Sequence, residues 1–416
     1  MAGPWAGAAG KWCPVAFAEP LRGWACGLAI GVALAGSADV VGQPGMPATH
    51  GCAGGGLVDD VFRDAALGAL QALVIHAPGL PADGAVQAHH SAGHVDPAGQ
   101  AWHYVSAYQV NLAFLGALAV DPRLAGAAAG WLRWQAAHTA FTGPGQGVVF
   151  DHWVRAEGFA ESTCPPGMAA ATCPRVDAYD STAASLLLLA DAYAATPGSA
   201  ALLQASTVRV ALEAAAGTLT AMTQHQGLSW AKPDHQVAYL MDAVEVAAGW
   251  RAWARLQTAV YGAPQAAQAS LAAARRLDAA IVRHLWHAPS QTWRVSLGAT
   301  PADFGRWYPD TVAQAWPLLW SEAADPAARA RATAAWRQAA QAWQGPPGWA
   351  GHNVDPAGFW WPAVAVAARC LGDEAAPRAW TERARRQWLR PDAPFAWPFQ
   401  VGDLRWLLWL ADPVVP

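Results

Sequence analysis

Charged side chains are scarce in this sequence. Only 13% of its 416 residues are Lys, Arg, Asp or Glu, and the formal net charge is -4. Nucleic acid is held mainly through its phosphates by clustered basic residues, so this balance argues against nucleic acid as a partner. The hydrophobic fraction of 54% also argues against a disordered chain. The composition therefore predicts a folded protein with a large core.

Several familiar chemical motifs are also missing. The sequence contains no Gly-x-Ser-x-Gly elbow, no Walker loop, no dinucleotide fingerprint and no Cys-x-x-Cys pair. The histidines are mostly scattered, and His90 and His94 sit in a Gly/Ala-rich loop and not on a clear helix. Zinc sites need a tighter set of Cys and His ligands than this. We therefore expect neither a metal nor a cofactor.

The N-terminus has the pattern of an export signal. Lys11 and Arg22 precede an apolar stretch over residues 24–35, and small residues follow it. This predicts a signal peptide over residues 1–38, a Gly-rich linker over 39–56, and a periplasmic or secreted protein. The stretch is short for a membrane span, and no stable span is expected beyond the signal. An uncleaved N-terminal anchor is the alternative.

Cysteine usage agrees with export. The chain has six cysteines, and two of them, Cys164 and Cys173, flank a short Pro/Gly/Ala-rich segment, residues 165–172. In an oxidising compartment such a pair closes a short loop. We predict a disulfide between them, with two unpaired thiols as the alternative.

Tryptophan, in contrast, is abundant, with 25 residues. Much of it must be core in a large helical protein. Because aromatic rings also stack on the apolar faces of sugars, the surplus mildly favours a carbohydrate cleft.

From residue 57 onward, two kinds of helical segment alternate. One kind is amphipathic and expected on the outside, near 58–76, 122–139, 200–223, 264–285, 325–343 and 374–388. The other kind is apolar all round and expected inside, near 102–119, 178–194, 237–257, 310–320, 356–371 and 400–411. The strict alternation predicts a single all-α domain over 57–416, an (α/α)6 toroid of six helical hairpins. A two-domain bundle and a flat solenoid of hairpins are the alternatives.

Polar residues cluster where each inner segment begins. In two concentric rings these starts lie on the same end and converge on one pit. Asp180 lies inside the second inner segment, and Asp242 and Glu245 share one face of the third at i,i+3 spacing. Because a buried carboxylate is costly unless it is paired or working, these three are the catalytic candidates, with Asp310 in reserve. Helix capping is the alternative for Asp177 and Asp310, and pairing with a structural arginine is the alternative for Asp242 and Glu245.

The same starts supply candidate substrate contacts. Four tryptophans would provide stacking platforms, namely Trp153, Trp230, Trp307 and Trp397. The candidate polar contacts are Asp177, His103, Tyr104, His235, Tyr239 and Tyr308.

The alternation, together with the segments 176–190, 239–246 and 308–317, resembles the six-hairpin glycosidase superfamily. The resemblance covers roughly residues 57–412. It implies a saccharide cleft at the inner-helix N-termini and, commonly, inverting hydrolysis by two carboxylates. None of these segments assigns a specific family.

The sequence therefore predicts an exported glycoside hydrolase with a carbohydrate substrate, using one carboxyl group as acid and another as base. A lyase or epimerase with Tyr or His as base is the first alternative, and a non-catalytic periplasmic polysaccharide-binding or scaffold protein is the second. The sequence leaves the sugar and the oligomeric state open.

Overall fold

The structure is a computed structural model that describes residues 55–143, 146–170, 173–320, 325–343, 349 and 359–411. The predicted signal peptide lies outside these residues, as does the predicted linker up to residue 54. The boundaries proposed for these two segments therefore stay predictions.

The described residues are mostly helical. The helices are α1 (Asp60–Leu73), α2 (Ala107–Val120), α3 (Ala125–His138), α4 (Tyr179–Ala194), α5 (Ser199–Leu203), α6 (Ser206–Met222), α7 (Leu240–Ala259), α8 (Pro264–Leu285), α9 (Trp316–Trp320), α10 (Pro326–Ala342), α11 (Pro362–Cys370), α12 (Ala375–Trp388) and α13 (Leu404–Ala411). Shorter helical turns precede three of them, at Pro122–Leu124, Trp307–Thr311 and Val401–Asp403.

The inner helices form a closed ring. In order, α2, α4, α7, α9, α11 and α13 each pack against the next, and α13 packs back against α2. The outer helices α1, α6, α8, α10 and α12 pack on α13, α4, α7, α9 and α11, while α3 lies against α2, α4 and α6. The predicted (α/α)6 toroid is confirmed. A flat solenoid would leave its first and last hairpins apart, and a two-domain bundle would not close a ring.

The sequence explains which helices lie inside. In α8 the buried positions fall three or four residues apart, from Ala267 through Ala274 and Ile281 to Leu285, so one stripe faces the ring. In α7 every position of 243–250 is buried, because both flanks and both faces meet other helices.

Two glycines allow inner helices to approach closely. A Cβ atom on Gly116 would lie 2.7 Å from the Cα of Arg405, where α2 meets α13. A Cβ atom on Gly249 would lie 2.8 Å from the Cα of Ala184, where α7 meets α4. Any larger side chain at either position would push the two helices apart.

Six short strands in the outer-to-inner connections were not predicted. β1 (His94–Val95), β2 (Ala101–Val105), β3 (His152–Arg155) and β4 (Glu161–Ser162) form an antiparallel sheet in that order, and β5 (Trp286–His287) pairs with β6 (Thr292–Trp293). The predicted start of the first inner helix at residue 102 is therefore wrong. Residues 102–105 pair with β3 instead, and the helix begins at Ala107.

Cys164 and Cys173 form a disulfide, with Cα atoms 5.4 Å apart, as predicted. Cys370, at the end of α11, is also disulfide-bonded. Among the helices that the structure describes, none is long and apolar enough to span a membrane.

Candidate active site

Four of the predicted acidic residues lie together at the beginnings of α4 and α7, which are neighbouring inner helices. Asp177 precedes α4, Asp180 is its second residue, and Asp242 and Glu245 lie in the first two turns of α7. The charge of Asp177 acts on Asp242, and that of Asp242 acts on both Asp180 and Glu245. The four carboxyl groups therefore form one electrostatic cluster.

Glu245 is the buried acidic residue that α7 contributes. Its side chain is only 3% exposed. Its Oε1 accepts hydrogen bonds from the Tyr108 hydroxyl at 2.7 Å and from the Trp316 indole at 2.8 Å. Burial raises the pKa of Glu245 to about 8, and the charge of Asp242 adds to this, while the two hydrogen bonds act in the opposite direction. Glu245 is therefore protonated at neutral pH.

Asp242 lies closer to solvent, and its side chain is only partly buried. Burial raises its pKa to about 7, and the neighbouring charge of Asp177 contributes. Near neutral pH, Asp242 can both give and take a proton, which a catalytic acid or base needs.

Asp180 is fully buried beneath the cluster. Its Oδ1 accepts from the backbone N–H of Ser181 at 2.8 Å, and its Oδ2 has no hydrogen-bond partner among the described residues. Burial and then the charge of Asp242 raise its pKa well above the ordinary range. Burial therefore favours the protonated form of Asp180, whose side chain has no contact with solvent.

Asp177 has a different environment, because its side chain is exposed and three cationic groups act on it. Desolvation by the surrounding protein is the largest effect and raises the pKa of Asp177 overall, although the charges of Lys232, Arg175 and His235 oppose the rise. Lys232 is fixed by a hydrogen bond from Nζ to the backbone oxygen of Val176 at 3.3 Å. Of the four carboxyl groups, Asp177 has the strongest cationic surroundings.

Asp310 is engaged in its own loop. Its Oδ1 accepts from the backbone N–H of Asp303 at 2.9 Å, and its Oδ2 lies 2.8 Å from the guanidinium of Arg306. Asp310 is 1% exposed, so this ion pair and the hydrogen bond account for its burial. The structure thus places Asp310 in an ion pair with Arg306, a contact predicted as the alternative for Asp242 and Glu245 and not for Asp310.

His235 and Tyr239 form a pair next to the acidic cluster. The His235 Nε2 lies 2.9 Å from the Tyr239 hydroxyl, and the two rings stack with centroids 5.9 Å apart. The charges of Asp242 and Asp177 both act on Tyr239. These two predicted polar contacts are therefore at the carboxylates.

Two of the predicted stacking platforms are buried in the structure. Trp153 is 2% exposed and packs against Tyr104, and Trp307 is 5% exposed and packs edge-on against Trp343. A ring enclosed in this way offers no free face to a sugar. The sequence could not show this, because the enclosing side chains come from distant segments.

The other predicted aromatic residues retain accessible surface. Trp230 and Trp397 are half-buried, and Trp397 packs edge-on against Phe359. Tyr308 is half-buried and stacks face to face on Trp361, with ring centroids 4.9 Å apart and planes 13° apart. Trp361, which sequence reasoning missed, therefore extends the aromatic wall formed by Tyr308.

The predicted contacts His103 and Tyr104 lie on β2 and not on a helix. His103 is half-buried, and burial lowers its pKa. The Tyr104 hydroxyl is near the carboxyl group of Asp151, a residue that sequence reasoning also missed. Asp151 directly precedes β3, and no helical pattern marks it.

Two further residues of the site were missed by sequence reasoning. Tyr108 and Trp316 bind Glu245, and each lies at the beginning of an inner helix, the position that pointed to the acidic residues. Asp403, just before α13, accepts from the backbone N–H of Gln400 at 2.9 Å, and burial raises its pKa to about 8. In the part of the chain that the structure describes, no three His, Cys, Asp or Glu side chains are grouped to hold a metal ion.

Comparison with known proteins gives structural similarity only. No family model matches the chain, and no curated protein matches it. Among solved structures, the GH76 alpha-mannanase of Bacteroides thetaiotaomicron matches with a TM-score of 0.48 and 11% identity, over 84% of this chain and 93% of that one.

A glycosidase variant in complex with glucose matches with a TM-score of 0.49 and 14% identity, over 85% of this chain and 96% of that one. The family 8 endoglucanase of Klebsiella pneumoniae matches with a TM-score of 0.42 and 17% identity, over 83% and 97%. At this identity the matches do not define a reaction. The assignment of the fold depends on the ring of helices described above.

Proposed function

We propose that the protein is a glycoside hydrolase that acts on an oligo- or polysaccharide, with Asp242 as general acid and Asp177 as general base. The observation that supports this is a pair of neighbouring, accessible carboxyl groups in contrasting environments. Asp242 has a pKa of about 7, while Asp177 is surrounded by Lys232, Arg175 and His235. Desolvation raises the pKa of both carboxyl groups, but among the described residues only Asp177 has neighbouring cations that favour its ionised form, and such a difference suits an acid and a base in one site.

In the proposed reaction, the protonated Asp242 donates to the glycosidic oxygen as the bond to the leaving sugar breaks. Asp177 takes a proton from a water molecule that attacks the anomeric carbon from the opposite face, which inverts its configuration. The cations around Asp177 favour its ionised form, and no such cations among the described residues act on Asp242. Hydrolysis needs an ionised Asp177 and a protonated Asp242 at the same time, so activity should follow a bell-shaped pH profile.

The buried residues of the acidic cluster, Asp180 and Glu245, influence the proton affinity of Asp242. Burial favours the protonated forms of Asp180 and Glu245, and ionising either of them would place a negative charge beside Asp242. Tyr108 and Trp316 hold Glu245 in place behind Asp242. We therefore give Asp180 and Glu245 the role of setting the proton affinity of Asp242, and not of contacting the sugar.

The half-buried aromatic residues are the proposed sugar contacts. The Tyr308–Trp361 stack, Trp397 and Trp230 each keep part of their surface accessible. Stacking on such surfaces orients a sugar ring without fixing which sugar it is. The predicted disulfide and export signal fit a periplasmic or secreted hydrolase, and this location is part of the proposal.

The test uses the purified protein and a panel of polysaccharides and aryl glycosides, followed for new reducing ends and for ultraviolet absorbance. We expect reducing ends without an absorbing product. An absorbing, unsaturated product would replace the proposal with a lyase. Neither signal, from a protein with intact helical structure, would contradict hydrolysis and favour the binding or scaffold alternative.

On an active substrate, Asp242→Asn and Asp177→Asn should each lower kcat by about 100-fold or more, because each removes one proton transfer. Asp64→Asn, on the exposed face of α1, is the matched control and should leave kcat unchanged. NMR of the first anomer released tests inversion. If both variants retain wild-type kcat, the assignment of acid and base is wrong.

A further inference from the structure

His138, the last residue of α3, makes polar contacts that the proposed reaction does not use. Its Nε2 lies 2.8 Å from the Oε2 of Glu161 on β4, and its Nδ1 lies 2.7 Å from the backbone oxygen of Trp134. The other oxygen of Glu161, Oε1, accepts from the Trp134 indole at 2.7 Å. The side chains of His138 and Glu161 are 16% and 10% exposed, so water has little access to these contacts.

Both nitrogens of the His138 ring face oxygen atoms that accept hydrogen bonds. A backbone oxygen has no proton to donate. Burial acts to raise the pKa of Glu161, but the hydrogen bonds from His138 and Trp134 lower it overall, so Glu161 is ionised at neutral pH. The protonated imidazole has an N–H on each nitrogen, and the neutral imidazole has one. When His138 loses its proton, one of its two contacts therefore becomes a contact between two acceptors.

The surrounding rings hold His138 in this position. Its ring stacks on that of Trp134, with centroids 4.2 Å apart and planes 20° apart. The ring of His152, on β3, lies edge-on to both, 5.0 Å from His138 and 5.2 Å from Trp134. The His138 ring is therefore not free to turn toward other partners when it becomes neutral.

The contact with Glu161 attaches a weakly held strand to α3. β4 consists of two residues and pairs with β3 at the edge of the sheet. The Ser162 hydroxyl on β4 accepts from the backbone N–H of Cys164 at 2.9 Å, so the segment 163–170 is attached to this strand as well. Since two residue pairs alone stabilise a strand poorly, the position of β4 should depend on Glu161.

The same hairpin borders the acidic cluster. The backbone N–H of Asp151, directly before β3, donates to the backbone oxygen of Arg175 at 2.7 Å, in the loop before α4. The ring of Phe150 lies edge-on to that of Tyr179, the first residue of α4, with centroids 6.4 Å apart. The hairpin therefore connects the contact at His138 to the beginning of an inner helix that carries the acidic residues.

We propose that His138 and Glu161 form a pH-sensitive clamp: the protonated imidazole holds the β3–β4 hairpin and the segment 163–170 against α3, and loss of the proton loosens them. The clamp does not depend on the proposed hydrolysis, because none of its residues takes part in that reaction.

The groups that face His138 determine the direction of the change. They are Glu161 on β4 and His152 on β3. From α2, α4 and α6, which also pack on α3, no charged side chain among the described residues acts on it. Burial lowers the pKa of His138, but the contacts with Glu161 and Trp134 raise it overall above the ordinary 6.5. Burial lowers the pKa of His152, so His152 is neutral while His138 is charged. The clamp should therefore be closed below the folded pKa of His138 and open above it.

Hydrogen exchange of the full chain, followed by mass spectrometry, tests this directly. Exchange is measured at about pH 5.5 and about pH 9, on either side of the ordinary histidine pKa, and each rate is divided by the intrinsic chemical rate at that pH. We expect the protection of residues 156–170 to fall about tenfold at the higher pH. This is the size expected when one hydrogen bond between charged groups is lost.

Glu161→Gln is the deciding variant, because glutamine suits the neutral imidazole. Its amide oxygen can accept from Trp134 while its amide nitrogen donates to the unprotonated Nε2 of His138. The fall in protection at the higher pH should be absent in this variant. Glu157→Gln, exposed in the turn of the same hairpin, is the matched control and should show the same fall as the wild type.

Titration of the wild-type protein tests the clamp without relying on the folding of a variant. The thirteen histidines are labelled with ¹³C in the ring and followed by NMR, and the His138 signal is identified through its contact with the stacked Trp134 ring. We expect His138 to titrate above the ordinary pKa of 6.5.

Three results would overturn the proposal. The first is equal corrected protection of residues 156–170 in the wild type at both pH values. The second is a fall in protection that persists in folded Glu161→Gln, because it would then come from another group. The third, which decides the matter if Glu161→Gln does not fold, is a His138 midpoint at or below 6.5. None of these measurements uses a substrate, so failure of the hydrolysis assay leaves the clamp untouched.

Discussion

Replacing Glu245 by Gln should remove a pH-dependent loss of stability from the whole protein. Glutamine keeps the shape of the side chain and an Oε1 that can accept from Tyr108 and Trp316, but it cannot ionise. In the wild type, the pKa of Glu245 is about 8 in the folded state, against an ordinary value of 4.5. A folded pKa above the unfolded one means that the native state holds the proton more tightly.

The sign and the size follow from linkage. The stabilisation by protonated Glu245 is complete below pH 4.5 and is lost as the pH rises to about 8, because over this range only the unfolded chain releases the proton. The full loss is on the order of 5 kcal/mol, since each pKa unit corresponds to about 1.4 kcal/mol. Between pH 5 and pH 8, wild-type stability should therefore fall relative to Glu245→Gln by about 4 kcal/mol.

Urea unfolding at a series of pH values, followed by circular dichroism, measures this difference. Glu213→Gln is the matched control, because Glu213 lies on the surface of α6 in an exposed ion pair with Arg209. Its pH dependence should parallel that of the wild type to within about 0.5 kcal/mol. If the curves of wild type and Glu245→Gln also run parallel, burial of Glu245 does not hold its proton and the reasoning about the cluster is wrong.

Three further predictions concern packing and polar contacts. Gly249→Ala should lower the free energy of unfolding by about 1 to 3 kcal/mol in urea denaturation, while Gly68→Ala, on an open helix face, should raise it by about 0.5 to 1 kcal/mol. Asn111→Ala should cost about 2 to 4 kcal/mol in the same assay, because four buried hydrogen bonds are lost. Finally, both ring nitrogens of His138 face acceptors, the Trp134 carbonyl at 2.7 Å and Glu161 at 2.8 Å, so both contacts favour the protonated imidazole. Burial lowers its pKa, but these contacts outweigh burial and raise it overall. Stability from this contact is lost as pH rises through the folded pKa, and thermal melts should show that Glu161→Gln no longer has that loss.

The ring of helices was predictable because the extent to which a helix is buried determines how many of its residues are apolar. An inner helix meets neighbours on every side, so α7 is apolar all round, whereas α8 is apolar on one stripe. The predicted bounds of α8, 264–285, coincide with the observed helix. The short strands left no comparable mark, since two to five residues in a loop are too few for a periodic pattern.

The site was predictable only in part, for a similar reason. Asp242 and Glu245 stand out because they are acidic residues within an apolar helix. Asp151 has no such contrast, because it follows a loop and precedes a four-residue strand. Which tryptophan faces the pit could not be predicted either, because Trp153 is enclosed by Tyr104 and Arg175 from other segments.

The closing contact between α13 and α2 has a consequence for biosynthesis. During translation α2 is synthesised early, but α13, which covers one of its flanks, consists of residues 404–411 and is synthesised last among the described helices. The backbone hydrogen bonds from Leu57 and Val58 to the backbone oxygen of Leu410 likewise cannot form until residue 410 has been synthesised. A ribosome-bound chain will therefore carry an exposed apolar seam until nearly all of the described residues have been made. Substitutions in α13 should accordingly affect the yield of folded protein more than their distance from the carboxylates suggests.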